Sequence, residues 1–231
     1  MLVREGSPLE LDQHLSRLTQ SVTTLFGRQP PADIVQLVLE NARAVELGRL
    51  RLDVAPDATD QLAARVRVQA VDEKVVFPVW EQASDLRPVL TPGGIGGHKW
   101  ADRRFLEKAE TEASPAVPLL VDRGDDVLEA SRANLFIVER GAIVTPPCDG
   151  RILPGVTRQC ALVVARSIGF QASEEAVSME RLLAADELFL TGAVRGIEPV
   201  QAVLDLRAWT EVDGISKAVA DALRRAWSAA G

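Results

Sequence analysis

The chain has 231 residues, 47% of them hydrophobic and 26% charged, and a formal net charge of −7. That is the makeup of an ordinary globular protein with room for two modest domains. The acidity argues against nucleic acid as a partner, because neutralising phosphates needs a basic patch, and no apolar run approaches the ~20 residues of a membrane span.

The opening MLVREGSPLELD has no apolar segment behind a basic one, so a secretory signal is not expected and a cytoplasmic location is. Cys148 and Cys160 stand in no metal-ligand spacing and read as packing residues in a reducing compartment. With His14 and His98 as the only histidines, neither a Ser-His-Asp hydrolase nor a multi-histidine metal site has its raw material, and no metal is expected. The chemistry must rest on Lys, Arg, Asp, Glu, the backbone or a cofactor.

In chain order, Leu15, Leu18, Val22 and Leu25 recur at helical spacing and predict a helix over 11–26, stopped by Gly27. A second helix is predicted over 32–47, opening after Pro30-Pro31 and ending at Gly48. The period then changes, and residues 50–54 and 66–70 alternate as half-buried antiparallel strands do. LRPVLTPGGIGGH, over 86–98, is dense in Pro and Gly and reads as a connector. The expected division is therefore a small N-terminal α+β domain over 1–86, an interdomain loop over 87–98 and a larger domain over 99–231. In the larger domain the pattern predicts a helix over 100–112, strands over 119–122, 135–139 and 142–145, helices over 156–167 and 179–184, a strand over 187–191 and a last helix over 216–229. Arg140-Gly141 makes a hairpin turn. The fold class is mixed α/β in two domains, with a ligand site between them.

Four segments carry candidate chemistry. Lys99 follows the Gly-rich loop, although a lone lysine is usually a solvated charge. In LEASRANLF, Glu129 stands ahead of an apolar strand. RILPGVTR puts Val156 and Thr157 at a helix N-terminus, whose free N–H groups suit phosphate; alone, it is a capped helix after a proline turn. LFLTGAVRGIEPV runs a buried strand into Thr191-Gly192-Ala193 and then Arg195-Gly196, where small residues let backbone amides approach a ligand; alone, it is an ordinary strand-to-loop exit. Near the start, HLSRL places Arg17 on one helix face with His14.

Taken as an ordered set from about Leu9 to Val200, these segments resemble the motifs of class IV aminotransferases, the fold type IV group of pyridoxal-phosphate (PLP) enzymes. That group includes branched-chain and D-amino acid aminotransferases and amino-deoxychorismate lyases. The resemblance implies a D-amino acid aminotransferase-like two-domain fold, PLP as cofactor, a small-molecule amine as substrate and a homodimer. Lys99 matches the family's Schiff-base lysine and its proton-transferring base. Glu129 matches the carboxylate facing the pyridine nitrogen, and Arg17 the phosphate-binding arginine. Val156 and Thr157 match the phosphate-binding helix start. Ala193 and Val194 fall where a second small or hydroxyl residue often stands near the phosphate, and Ala193 can offer only its N–H. The family usually places additional strands before the HLSRL region, which makes the segment before His14 a shortened one.

Within the group, the sequence has no tyrosine, and so lacks the one that amino-acid aminotransferases place just past the lysine. KWADRR instead puts Asp102-Arg103 where lyases carry an asparagine-arginine pair. The leading expectation is a 4-amino-4-deoxychorismate lyase that releases pyruvate and leaves p-aminobenzoate for folate synthesis, with Arg103 and Arg195 as partners for substrate carboxylates. The alternatives are a transaminase for branched-chain, D- or other small amino acids, and a non-catalytic relic of the fold.

Overall fold

The computed structural model describes residues 1–210 and 214–229. They divide into two compact units, Met1–Val76 with the chain end from Trp227, and Phe77–Ala226.

In the first unit, strands β1 (Leu2–Arg4) and β2 (Ser7–Pro8) are joined through Glu5 and Gly6, at φ 51° and 73°. A two-residue hairpin turn of mirror-image type requires such a pair of positive φ angles. The residues before His14 thus contain two strands, β1 and β2, where the sequence pattern predicts none. Helix α1 (Leu11–Phe26) has the predicted bounds and ends at Gly27, φ 65°, whose N–H reaches the Thr23 carbonyl. Helix α2 (Ile34–Ala42) is shorter than the predicted 32–47. Leu47 instead opens β3 (Leu47–Pro56), and Gly48 is a strand residue opposite Ala70 of β4 (Leu62–Ala70), not a helix stop. The sheet order is β2-β1-β3-β4. Val3, Val38, Ala42 and Leu50 form its buried centre, with Leu52, Val66 and Val68 packed against them. The alternation along β3 and β4 puts these apolar positions on one face.

The second unit opens with β5 (Ser84–Leu90), α3 (Arg104–Ala113), β6 (Val117–Val121), β7 (Asp126–Ala130), β8 (Ala133–Glu139) and β9 (Ala142–Thr145). Helix α4 (Val156–Ser167) follows, then β10 (Ala172–Glu174), β11 (Val177–Ser178), α5 (Met179–Ala184), β12 (Glu187–Gly192), β13 (Gly196–Val203), β14 (Arg207–Ala208) and α6 (Ile215–Ala229). Among the described residues these strands make a ten-stranded sheet, and the pairing β8-β12-β13-β5-β6-β7 closes on itself because β7 also pairs with β8. A closed ring has no edge to protect, and its inward side chains must fill it. Leu86, Leu119, Leu135, Ile137, Leu188, Leu190 and Val200 do so in one buried cluster. Phe136 and Phe189 alternate to the opposite face and stack with ring centroids 4.8 Å apart.

The expected connector over 87–98 begins inside this ring, since β5 is a ring strand. Its Pro88 is tolerated because the pairing of β13 with β5 ends at Leu86, so beyond that point a missing N–H costs no ladder bond on that side. The first unit accordingly ends at Val76, well before the expected loop. Helix α3 starts at Arg104 rather than near 100, with the Arg104 N–H donating to the Asp102 carboxylate at 3.0 Å. Strand β7 carries Glu129 and was not anticipated as a strand. The helices α4 and α5 have their predicted bounds, as does the hairpin at Arg140-Gly141, both residues at positive φ.

Candidate active site

The chemistry gathers at one end of the ring in the second unit, and strand register explains how. Glu129 of β7 lies opposite Asn134 of β8, and Asn134 lies opposite Thr191 of β12. Residues paired directly across strands share a face, so Glu129, Asn134 and Thr191 form a polar row on the face opposite the ring's filled interior. All three are buried, Thr191 to 2% exposure. Polar groups in such a place require partners. The Asn134 carboxamide donates to Glu129 Oε2 at 3.0 Å and to the Leu153 carbonyl at 2.8 Å, and the Leu153 N–H donates to Glu129 Oε1 at 3.2 Å. Among the described residues, Thr191 Oγ1 has no hydrogen-bond partner.

This row is tied to the start of α4. A Cβ on Gly155 would lie 2.0 Å from Asn134 Oδ1, so only glycine lets the helix begin so close to the row. Gly155 occupies the N-cap position without a side-chain cap, and the first turn contains no acidic residue. A helix start of this kind, with its dipole and free amides, favours an anion. Val156 and Thr157 open the helix and are buried.

The loop leading to Lys99 joins the same region. Gly94, at φ 69°, approaches the Arg151 carbonyl so closely that a Cβ would stand 2.1 Å from it. The Gly96 N–H donates to that carbonyl at 3.2 Å. Ile95 packs into a cluster with Leu106, Leu120, Leu128 and Ile152, next neighbours of Glu129 and Leu153. Arg151 fastens the loop, pairing with Asp122, Asp126 and Asp149 at 3.1, 2.8 and 2.7 Å, while Asp122 also accepts from the Gly93 N–H. Lys99 itself is exposed, just before α3.

Ala193, Val194 and Arg195 form the turn between β12 and β13, beside Thr191. Arg103 donates to Glu110 at 3.0 Å and to the Ser131 carbonyl at 3.4 Å, linking the segment after Lys99 to the β7–β8 turn. Its neighbour Asp102 points elsewhere, to Arg104, which holds its carboxyl down at about 2 through side-chain and backbone hydrogen bonds. Arg195 is bound to Glu198, as is Arg132. Of the sequence-named residues, Glu129, Val156, Thr157, Ala193, Val194, Arg103, Arg195 and Lys99 all belong to the second unit, whereas Arg17 lies on α1 in the first. Asn134, Arg151, Arg132 and Glu198 are not singled out by the sequence, and Thr191 only as the end of a buried strand running into small residues. Strand pairing gives Asn134 and Thr191 a role, and ion pairs give one to Arg151, Arg132 and Glu198.

The arrangement can hold a ligand with a protonatable nitrogen near Glu129 and an anionic group near the α4 start, where the orphaned Thr191 hydroxyl supplies a ready donor. The residues present therefore fit a phosphorylated nitrogen heterocycle.

The chain belongs to the amino-transferase class IV family, whose model matches residues 1–203. A 4-amino-4-deoxychorismate lyase from Pseudomonas aeruginosa superposes with a TM-score of 0.83 at 28% identity, over 97% of this chain and 88% of that one. A hypothetical aminotransferase from Mycobacterium tuberculosis, solved in a PLP-bound form, has the same fold, with a TM-score of 0.84 at 21% identity over 97% of this chain and 86% of that one. Among curated proteins, the chloroplastic branched-chain-amino-acid aminotransferase 3 of Arabidopsis thaliana is 47% identical over 119 residues, 49% of this chain and 29% of that protein. The aligned part spans about a third or less of such curated relatives. Among the described residues, no helix is long and apolar enough to cross a membrane.

Proposed function

We propose that the chain is a PLP-dependent 4-amino-4-deoxychorismate lyase that forms pyruvate and p-aminobenzoate. The observation that carries the cofactor reading is the buried Glu129 carboxylate, set by two donors a few residues from an uncapped helix start. The likeness to the Pseudomonas lyase along nearly the whole chain supports the choice of reaction. So does the absence of any tyrosine after Lys99. Bound PLP supplies an electron sink for the carbon that carries the substrate amine.

The chain's own residues then have separable tasks. Lys99 would hold the cofactor, and its amine would take the proton from the amine-bearing ring carbon. Glu129 keeps a proton on the ring nitrogen, and Asn134 and the Leu153 amide keep Glu129 in place. The α4 start at Val156 and Thr157, with the amides of Ala193 and Val194 and the Thr191 hydroxyl, receives the phosphate. Arg17 is its cationic partner by family resemblance. As the substrate's C–O bond to the enolpyruvyl group breaks, the ring becomes aromatic, and the departing enol gains a proton to become pyruvate. The protein would work in the cytoplasm as a homodimer.

A transaminase is the second reading, favoured by the branched-chain aminotransferases among its curated relatives. Pure PLP-loaded protein incubated with 4-amino-4-deoxychorismate is expected to yield p-aminobenzoate and pyruvate in equal amounts. A keto acid formed from an added amino acid, without p-aminobenzoate, would instead establish the transaminase. Lys99→Ala is expected to lose the visible cofactor band that borohydride bleaches in the wild type, and to lower the rate by roughly 10²–10⁴-fold.

A further inference from the structure

Arg158 is the third residue of α4 and is buried to 3% exposure. Its Nη2 donates to the Pro146 carbonyl at 2.8 Å and to Glu174 Oε2 at 2.7 Å, and among the described residues its Nε has no partner. Glu174, at the end of β10, also accepts from the Cys148 N–H. The pair thus grips both sides of Pro147, where the chain leaves β9 for the loop that reaches α4 at Gly155.

Helix stability does not account for this placement. A positive charge in the first turn sits at the end of the helix dipole that disfavours it. Burying a guanidinium is costly even when it is paired, and the ion-pair partner Glu174 is itself 39% exposed. Arg166, in the last turn of the same helix, is the ordinary case. It is exposed, stands at the favourable end of the dipole, and fastens α4 to the Ala172 carbonyl of β10 at 2.8 Å. One arginine at each end therefore ties this helix to this strand, and it is the one beside the candidate site that is buried against the dipole.

Position supplies the reason. A Cβ on Gly155 would stand 3.2 Å from Arg158 Cβ and would collide with Asn134, so the arginine starts beside the glycine that seats the helix. Leu153, two residues earlier, bonds Glu129 and Asn134 through its N–H and carbonyl. The loop and the helix start are thus fixed at one point by the polar row and at another by Arg158 acting on Pro146. Without the second point, the first turn could pivot on the first. An anion on the α4 amides would also give the buried guanidinium in the same turn a second counter-charge.

We propose that Arg158, paired with Glu174, is a positioning residue that holds the first turn of α4 in place to receive the cofactor's phosphate. The inference rests on the function proposed above, through its use of the α4 start as the phosphate site.

The test is fluorescence titration of the full chain, stripped of cofactor, with PLP and with pyridoxal, which lacks the phosphate. Wild type is expected to bind PLP at least about tenfold more tightly than pyridoxal. Arg158→Met keeps the stem without the charge and is expected to weaken PLP roughly tenfold, the lower end of what losing a ligand-orienting partner costs at metal sites. Pyridoxal should change by less than about twofold, because it makes no use of the phosphate site. Arg158→Lys keeps the charge without the fork and should recover part of the PLP affinity. Glu174→Gln should weaken PLP by a few fold with the same selectivity, and Arg166→Gln should leave both affinities at their wild-type values. Equal losses for PLP and pyridoxal in Arg158→Met, or an unchanged PLP affinity in it, would overturn the assignment and leave Arg158 a residue of the fold alone. Should Arg158→Met not fold, a wild-type ratio of the two affinities in both Arg158→Lys and Glu174→Gln overturns it equally. A wild type with no preference for PLP over pyridoxal would remove the phosphate reading itself, and the inference with it, before any variant is compared.

Discussion

Two buried carboxylates in the same ring of strands are held in different ways. Glu129 accepts from a carboxamide and a backbone amide, both neutral. Glu198 accepts from two guanidiniums and a hydroxyl. Burying a carboxylate is costly unless it is paired or fully hydrogen-bonded, and the two sites meet that demand differently. At Glu198 the protein answers the charge twice over and is left with an excess of positive charge. At Glu129 the Asn134 carboxamide and the Leu153 amide orient the group. The contrast separates a group that organises two arginines from the one proposed to meet the cofactor.

The sharpest way to break this contrast is to neutralise each carboxylate in turn. Glu129→Gln keeps the shape and the Leu153 contact but cannot hold a proton on a pyridine nitrogen. Turnover is expected to fall by roughly 10²–10³-fold, the usual effect of removing one preorganised electrostatic partner, with the thermal midpoint close to that of wild type. A variant with wild-type turnover would remove Glu129 from the chemistry.

At Glu198 the effect should be on stability and on its pH dependence. Burial pushes this carboxyl upward, but the charge and hydrogen bonds of Arg132, with those of Ser84 and Arg195, outweigh it and hold the group below the ordinary glutamate value of 4.5. A carboxyl lowered on folding stabilises the native state fully above its unfolded value, and that stability disappears as pH falls through the folded one. Wild type should therefore lose part of its stability below about pH 4.5, and Glu198→Gln should flatten that part of the curve. Glu198→Ala at neutral pH should cost about 2 kcal/mol, less than a fully buried pair because both arginines are about a third exposed. Denaturant unfolding across pH 3–7 measures both effects. An identical acid limb in wild type and Glu198→Gln would show that the Glu198 cluster carries no linked proton.

The legibility of these parts follows from the range of the interactions that make them. Helices α1, α4 and α5 were readable because their apolar spacing and Gly stops are local. Glu129, Lys99 and the α4 start were readable because each sits inside a short motif. Strand β5 was hidden by Pro88, which a central strand normally rejects and which only the staggered end of β13 allows. Helix α2 ends earlier than its sequence suggests because Gly48, which resembles a helix stop, is a strand residue opposite Ala70. Asn134 and Thr191 acquire their meaning from pairing across β7, β8 and β12, over sequence distances no local pattern records. Glu198 was invisible for the same reason, since its arginines come from two different turns.

The smallest effect expected has two signs. Thr191 Oγ1 is buried and unpartnered, so in the ligand-free protein the hydroxyl costs stability and returns nothing. Thr191→Val has nearly the same shape and removes that hydroxyl, so the apo protein should gain up to about 1 kcal/mol. The same change should weaken binding of PLP, and of inorganic phosphate competing with it, by a few fold, because a donor to the anion is gone. Fluorescence titration with PLP and denaturant unfolding of the apo protein give the two numbers side by side. Opposite signs would place the hydroxyl at the anion; a loss of apo stability with unchanged PLP affinity would make it a packing residue and leave the α4 amides as the phosphate's main support.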